Sequence, residues 1–394
     1  MALSHKVKRL TEEGGWIRRM FETGIALKRQ YGEDRGFDLS LGNPVMEPPP
    51  QFRQELRRLA ETPIKGMHRY MPNAGYPETR EAVAAGLKEE TGIPFTLGDI
   101  VMTCGAAGAL NVVLKAILDP GDEVVIFAPY FVEYGYYADN HGGVAVVAPT
   151  DDRFQPDLAA LEGLLSSRTR AVIINSPNNP SGAVYGHDLL QELGDLLHRK
   201  SGEAGRDIFL ISDEPYRRII YDGLAYPQVY PHYEATIAVT SHAKDLALPG
   251  ERIGCIAVNP AYRHRRELVD GLILCNRILG FVNAPALMQH LVRALQGVTV
   301  DVTEYQRKRD YLYGQLTEMG YSVFKPHGAF YMFPKSPLED DVAFVAELQR
   351  WNVLTVPGRG FGSSGHFRIS YCVEDRVLEG SMEGFARAAE KFGR

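Results

Sequence analysis

The segment Ser241-His-Ala-Lys244-Asp-Leu-Ala-Leu-Pro-Gly-Glu-Arg252-Ile-Gly254 sets a hydroxyl, a primary amine and a guanidinium within one short stretch. It follows Ile237–Thr240, an apolar, β-branched run that predicts a buried strand ending at Ser241. Around Lys244 the neighbours are Ala, Leu, Pro and Gly rather than a polar, solvated background, which predicts partial desolvation of the amine. Desolvation disfavours the charged ammonium and lowers its pKa, as an amine needs if it is to form a Schiff base. Arg252 keeps its proton and offers a planar fork suited to phosphate. Ser241, Lys244 and Arg252 together therefore suit a phosphorylated aldehyde. A strand end with incidental charges is the plainer reading of this segment alone, and it weakens only when the other strand ends are added.

Four further strand ends carry compatible residues. After Ala171–Asn175 comes Ser176-Pro-Asn-Asn179-Pro180-Ser-Gly182, where X-Pro steps and a glycine direct the amide side chains, or simply make a turn. After Ile208–Ser212 comes Asp213-Glu-Pro-Tyr216. An Asp closing an apolar strand can sit ionised against a pyridinium nitrogen such as that of pyridoxal phosphate, and can equally be a helix N-cap. Tyr216 can reach the ring hydroxylate or belong to the core. Upstream, Thr103-Cys-Gly105-Ala106-Ala107-Gly108 leads from a strand into a helix, whose exposed N–H groups make a ready phosphate site. A G-x-x-G without context is weak. Pro129-Tyr-Phe131-Val-Glu-Tyr134 sets aromatics beyond Val124–Ala128, where one can stack on a flat ring or fill the core.

The elements that must position these residues alternate between about 100 and 260. The apolar runs Val124–Ala128, Val144–Val147, Ala171–Asn175, Ile208–Ser212, Ile237–Thr240 and Ile253–Val258 are separated by helical segments. That pattern predicts an α/β fold with a mostly parallel sheet covered by helices on both faces, and ligands at the carboxyl ends of its strands. Ile100–Leu118, the stretch most like a membrane span, is broken by Gly105, Gly108, Asn111 and Lys115, and reads as strand, turn and buried helix. Residues from about Lys8 to Tyr31 have helical spacing, and Phe37–Pro44 reads as extended. From Asn283 onward long helices alternate with the short strands Ala329–Pro334, Val353–Val356 and Phe367–Cys372, which predicts a smaller α+β domain. We divide the chain into residues 1–45, packing with the small domain; residues 46–282, the large domain; and residues 283–394, the small C-terminal domain. Lys200–Arg206 is expected to be a surface loop.

At 394 residues there is room for two domains and an ample core. A net charge of −6 with well-mixed signs argues against nucleic acid as a partner. Cys104, Cys255, Cys275 and Cys372 form no C-x-x-C and read as reduced, packed thiols of a cytoplasmic protein, with no metal site. The charged N-terminus lacks the apolar core of a signal peptide, and no membrane partner is expected.

Asn179-Pro-x-Gly182, Asp213-x-x-Tyr216 and Ser241-x-x-Lys244-x7-Arg252-x-Gly254, in this order, resemble the class I/II pyridoxal-phosphate aminotransferases of fold type I. Gly42-Asn-Pro44, Tyr70-x4-Gly75, Pro357-Gly358-x2-Phe361-Gly362 and Phe367-Arg368-Ile-Ser370 resemble further landmarks, so the likeness covers nearly the whole chain. The resemblance implies a seven-stranded large-domain sheet, pyridoxal 5′-phosphate as cofactor, amino acids and 2-oxo acids as substrates, and a homodimer with shared sites. It implies that Lys244 forms the Schiff base and shuttles the proton in a ping-pong reaction. Asp213 would pair with the pyridine nitrogen, Tyr216 and Asn179 with the ring oxygen, and Phe131 would stack on the ring. Gly105, Ala106, Ala107, Ser241, Arg252 and the partner's Tyr70 would hold the phosphate. Arg368, with Gly42 and Asn179, would bind the substrate, the α-carboxylate falling to Arg368.

The chain also departs from its relatives. Ala106-Ala107 supplies no hydroxyl to the phosphate turn, and the lysine that some aspartate-specific relatives carry near Ala107 is absent. Arg277 lies close to the place of a distal-carboxylate arginine in animal-type enzymes. Aspartate with 2-oxoglutarate leads by family base rate, with alanine, aromatic and branched-chain amino acids open. A same-fold carbon–sulfur lyase or cyclopropane-carboxylate synthase-like enzyme is a rival that shares the motifs. A non-catalytic regulator is disfavoured by the intact lysine and by the lack of a helix-turn-helix extension. Gly360-Phe-Gly362-Ser-Ser-Gly365 matches the dinucleotide fingerprint, but the strand-like His366–Cys372 follows where a helix should open, so the segment is assigned to a turn.

Overall fold

Apolar runs of four to seven residues supply the central sheet. In the computed structural model, which describes residues 2–13 and 36–392, the strands are β1 (Phe37–Asp38), β2 (Ile100–Thr103), β3 (Glu123–Phe127), β4 (Val144–Ala148), β5 (Thr169–Asn175) and β6 (Phe209–Asp213), followed by β7 (Thr236–Ser241), β8 (Gly254–Val258), β9 (Tyr331–Met332), β10 (Val353–Leu354), β11 (Val356–Pro357) and β12 (Phe367–Ser370). Seven of them form one sheet in the order β2-β8-β7-β6-β5-β3-β4. β8 runs antiparallel to β2 and β7, and every other pair is parallel. The carboxyl ends of the other strands and the start of β8 therefore share one sheet edge. Asn175 pairs with Asp213 there, and Ser241 and Thr103 both pair with Gly254. Such an edge is where open α/β sheets bind ligands.

Helices cover the sheet where their apolar residues recur at helical spacing. The helix Gly105–Ile117 buries Leu110, Val113, Leu114 and Ile117 and packs on β7 and β8. The helix His187–Ala204 buries Leu190, Leu193, Leu196 and Leu197 along one face. It corrects the expected loop at Lys200–Arg206, because the helix runs on to Ala204 and stops only where Gly205 takes a left-handed cap. Ion pairs from Arg199 and Lys200 to Glu203 hold that last turn.

The sheet is flanked by helices as expected, and the helices Tyr134–Asn140 and Leu158–Leu164 pack on β4, yet that strand is not buried throughout. β4 pairs only with β3, and Val144 and Val147 on it are exposed. A terminal strand has no neighbour on one side, so an apolar run need not be a buried strand. Of the helix expected from Lys8 to Tyr31, His5–Glu13 is seen, and the remainder lies outside the described residues.

In the C-terminal part, β11, β12 and β9 form an antiparallel sheet, while β1 pairs in parallel with β10. Phe344, Phe367 and Phe385 surround Tyr321 to make an aromatic core there. Backbone hydrogen bonds from His327 and Gly328 to Gly182, and from Ala329 to Ile219, tie this part to the loops after β5 and β6. The four cysteines are free thiols. Among the described residues, no helix is long and apolar enough to cross a membrane.

Candidate active site

The lysine turn is built by a cap. Ser241 ends β7 in extended conformation, and its Oγ accepts a hydrogen bond from the Ala243 amide at 3.1 Å, starting the one-turn helix His242–Asp245. That turn carries Lys244 into a cleft of about 280 Å³ at the sheet edge. Its Nζ donates to the Gly42 carbonyl at 2.7 Å and lies 5.3 Å from the Phe330 ring centre. Burial, with help from the Arg368 and Arg252 charges, pulls the Lys244 amine down to about 8. The desolvation expected from its apolar neighbours is thus present.

Asp213 ends β6 fully buried. Oδ2 accepts a hydrogen bond from the Tyr134 hydroxyl at 2.5 Å, while Oδ1 is buried with no partner. Burial raises the carboxyl to about 7, against the lowering effect of Tyr134. Beside it, Asn175 at the end of β5 donates to the Asp213 carbonyl at 2.9 Å and accepts from the Asn179 amide at 2.7 Å.

Across the cleft, Arg368 on β12 is buried. It donates to Asn179 Oδ1 at 3.0 Å and to the Ser40 carbonyl at 2.5 Å, and its Nε has no partner. The guanidinium lies between the rings of Tyr331 and Phe361, at 4.8 and 4.7 Å from their centres. Tyr331 in turn is 3.0 Å, hydroxyl to hydroxyl, from Tyr216. Gly42 lets this packing happen: a Cβ there would stand 1.8 Å from the Tyr331 oxygen.

The fourth wall is cationic and rich in amides. The helix Gly105–Ile117 begins without a side-chain cap, so its first N–H groups face outward beside Ala106 and Ala107. Gly105 holds a φ of +73° and Arg252 one of +52°. A Cβ at Gly105 would stand 3.1 Å from an Arg252 nitrogen, so the turn and the guanidinium are fitted to each other. Phe131 lines the cleft edge-on to Tyr134, with ring centres 5.6 Å apart.

The cleft therefore gathers Gly42, Ala106, Ala107, Phe131 and Asn179 with Asp213, Tyr216, Ser241, Lys244, Arg252 and Arg368. Three expected positions stay outside its lining: Gly105, which turns against Arg252 just before Ala106, and Tyr70 and Arg277. Tyr70 is 90% exposed on this chain, whereas Met71 and Tyr76 of the same loop pack on Gln289 and His290. Arg277 is exposed on the last turn of the helix Arg265–Ile278. The sequence reading missed Tyr134, Tyr331 and Asn175 as site residues. Tyr134 and Asn175 stood in the quoted strand-end segments, but no local signal distinguishes them from core residues. The glycine-rich Gly360–Gly365 stretch is a short 3-10 turn leading into β12, with no helix opening inside it.

Three comparisons with known proteins agree. The family model described as aminotransferase class I and II matches residues 34–383. An aspartate/prephenate aminotransferase from Thermus thermophilus is 34% identical over 362 residues, covering 89% of this chain and 90% of the relative. An aromatic-amino-acid aminotransferase from Thermococcus litoralis is 30% identical over 397 residues, covering 97% of each. The crystal structure of an aminotransferase from Eubacterium rectale superposes with a TM-score of 0.96 at 39% identity, over 100% of both chains. A family match through most of the length, and a fold shared end to end with a solved relative, establish that this chain belongs to the class I and II aminotransferases and is an enzyme of amino-group transfer.

Proposed function

We propose that the enzyme uses pyridoxal 5′-phosphate, held in this cleft, to move an amino group between an amino acid and a 2-oxo acid in two half-reactions. One observation carries the reading: an amine biased toward its neutral form, Lys244, shares a cleft with Asp213 Oδ1, a buried carboxylate oxygen that lacks a partner. The donor set fits the cofactor. A protonated ring nitrogen would give Oδ1 the cation that burial denies it. The amides at Gly105, Ala106 and Ala107, the Ser241 hydroxyl and the Arg252 fork suit its phosphate. Tyr216 and Asn179 suit its ring oxygen, and Phe131 suits a flat face.

When bound, the cofactor supplies an electron sink and an aldehyde carbon for amines. Everything else falls to the chain. Lys244 Nζ is the amine that would bind the aldehyde carbon and yield it to a substrate amine. The freed Nζ then moves the proton from the substrate Cα, a task suited to an amine near neutrality. Asp213 would keep the ring nitrogen charged, and Tyr134 fixes the carboxylate for that role. Arg368 binds the α-carboxylate, oriented by Asn179 and by the Tyr331 and Phe361 rings, which fixes the Cα–H bond relative to Nζ.

Aspartate with 2-oxoglutarate is our leading substrate pair, supported by the name of the Thermus relative; the name of the Thermococcus relative supports aromatic amino acids as the second choice. We further read the active unit as a cytoplasmic homodimer in which Tyr70 serves the phosphate of the neighbouring subunit. Its exposure and the four free thiols support this. The division into residues 1–45 with 283–394 against 46–282 remains our proposal, supported by the pairing of β1 with β10. The test is the absorbance of the purified protein. A visible cofactor band lost on adding an amino acid and restored by an oxo acid supports the reading. Irreversible loss with release of a thiol from a cysteine conjugate would point to a lyase instead.

A further inference from the structure

A second cavity, of about 20 Å³, lies against the same lysine turn. His242 and Tyr230 line it, together with Glu214, Arg217, Cys255 and Gln296. His242 and Tyr230 are 6% and 3% exposed. His242 Nδ1 lies 3.1 Å from Asp245 Oδ2. A carboxylate only accepts, so Nδ1 carries the hydrogen, and the tautomer with its hydrogen there presents a lone pair at Nε2. Nε2 and the Tyr230 hydroxyl are both buried with no partner. Buried polar groups are rarely left so, and a polar cavity of roughly 10–15 Å³ or more admits a water.

We infer that one ordered water links the Tyr230 hydroxyl to His242 Nε2, completing a chain Asp245–His242–water–Tyr230, and that His242 is a positioning residue for Lys244. The hydroxyl donates to the water and the water donates to Nε2. Its second hydrogen points to Glu214 or Gln296, which also line the cavity. The chain grips the lysine turn from both sides, since His242 precedes Lys244 by two residues and Asp245 follows it by one. The backbone of the turn is anchored as well. The His242 amide donates to the Ile253 carbonyl at 3.0 Å, and the Asp245 carbonyl accepts from the Val300 amide at 2.7 Å and from Thr299 Oγ1 at 3.1 Å. What remains free to vary is the tilt of the turn, and the side-chain chain removes that freedom. This role rests on reading Lys244 as the carbonyl-binding amine.

The test compares wild type with His242→Asn, which keeps a donor for Asp245 but cannot reach the cavity, and with Tyr230→Phe. The titratable and charged groups facing His242 are Asp245 on its own turn, Glu214 and Arg217 after β6, Tyr230, and Cys255 on β8. Each variant leaves all the others in place. Loaded with pyridoxal phosphate, both variants and their double mutant should shift the pH at which the visible band titrates by the same amount, roughly half a unit or more. Turnover should fall roughly 10-fold with KM little changed, as when an outer-shell partner is removed. Diffraction from the loaded wild type should show one water in the cavity. A dry cavity overturns the bridge. Band titrations that match wild type in the variants overturn the positioning role. If His242→Asn does not fold, Tyr230→Phe alone decides. A wild type that forms no visible band would instead refute the functional reading and, with it, the positioning role; the water stands or falls by diffraction in either case.

Discussion

The Lys244 amine donates a hydrogen bond to the carbonyl of Gly42, 202 residues earlier in the chain and 2.7 Å away in space. Gly42 also meets Tyr331, whose hydroxyl occupies the place where any larger residue would put its Cβ. One residue of the extended N-terminal segment thus joins the amine to the wall that packs on Arg368.

Replacing Gly42 by Ala should therefore be costly. A Cβ 1.8 Å from the Tyr331 oxygen forces that ring away from Arg368. Overpacking of this kind costs about 1–3 kcal/mol, which predicts a fall in kcat/KM of roughly 10-fold or more. Tyr331→Phe in the same chain deletes the struck hydroxyl and should recover part of the loss. Steady-state kinetics of the two single mutants and the double measure this, and strict additivity would count against the contact.

The pH dependence of cofactor capture follows from Lys244. Its folded value is held down at about 8 by burial. The neutral, nucleophilic fraction rises as pH rises toward that value and levels off above it. Adding pyridoxal phosphate to cofactor-free protein from about pH 6 to about pH 10 should give a rate of visible-band formation that climbs and then flattens near 8, well below an ordinary lysine. A climb that continues to pH 10 would show an unperturbed amine.

Asp213 makes the opposite demand. Folded, it keeps its proton up to about 7, whereas its ordinary value is 3.8. Between those values the folded state binds the proton that the unfolded chain has released, so without a cation partner stability falls as pH rises through that window. Asp213→Asn should then melt at or above wild type at about pH 8 when cofactor-free, and below it when the cofactor is bound. Turnover should fall roughly 100-fold. Paired melting curves with and without cofactor decide the matter.

Tyr134→Phe removes the hydroxyl that donates to Asp213 Oδ2. A hydrogen bond to a charged group contributes about 1.5–3 kcal/mol, so turnover should drop roughly 10- to 100-fold with the fold intact. Single-turnover rates equal to wild type would reduce Tyr134 to packing.

Tyr70 stands free on this chain at 90% exposure. Mixing Lys244→Ala chains with chains disrupted at Tyr70 tests whether it serves a neighbouring copy. A shared site gives mixed dimers with one intact and one doubly defective site, so activity returns. If Tyr70 serves its own chain, every mixed site is defective and activity stays absent.

The local code was sufficient for the strands and for the residues at their ends. Lys244, Asp213, Ser241 and Asn179 each follow an apolar, β-branched run, and such a run announces both the strand and the point where it stops. Hydrophobic pattern also predicted the alternation of strand and helix from about residue 100 to β6, whereas β6 and β7 are joined by turns with no helix between them. It could not predict that β4 would be a partly exposed edge strand, because its run looks like those of the buried strands. Nor did it show the helix continuing through Lys200–Ala204, where ion pairs outweigh a glycine and polar composition. Contacts between distant segments were beyond its reach. Tyr134 on Asp213, Arg368 on Asn179 and Gly42 under Lys244 join residues 79, 189 and 202 positions apart. Periodicity and propensity act over one or two turns of chain, while these partners are chosen by strand order, register and the packing of β12 against the loops after β5 and β6. The chemistry was written into residue types at strand ends; which side chains hold one another in the cleft was decided by the tertiary structure.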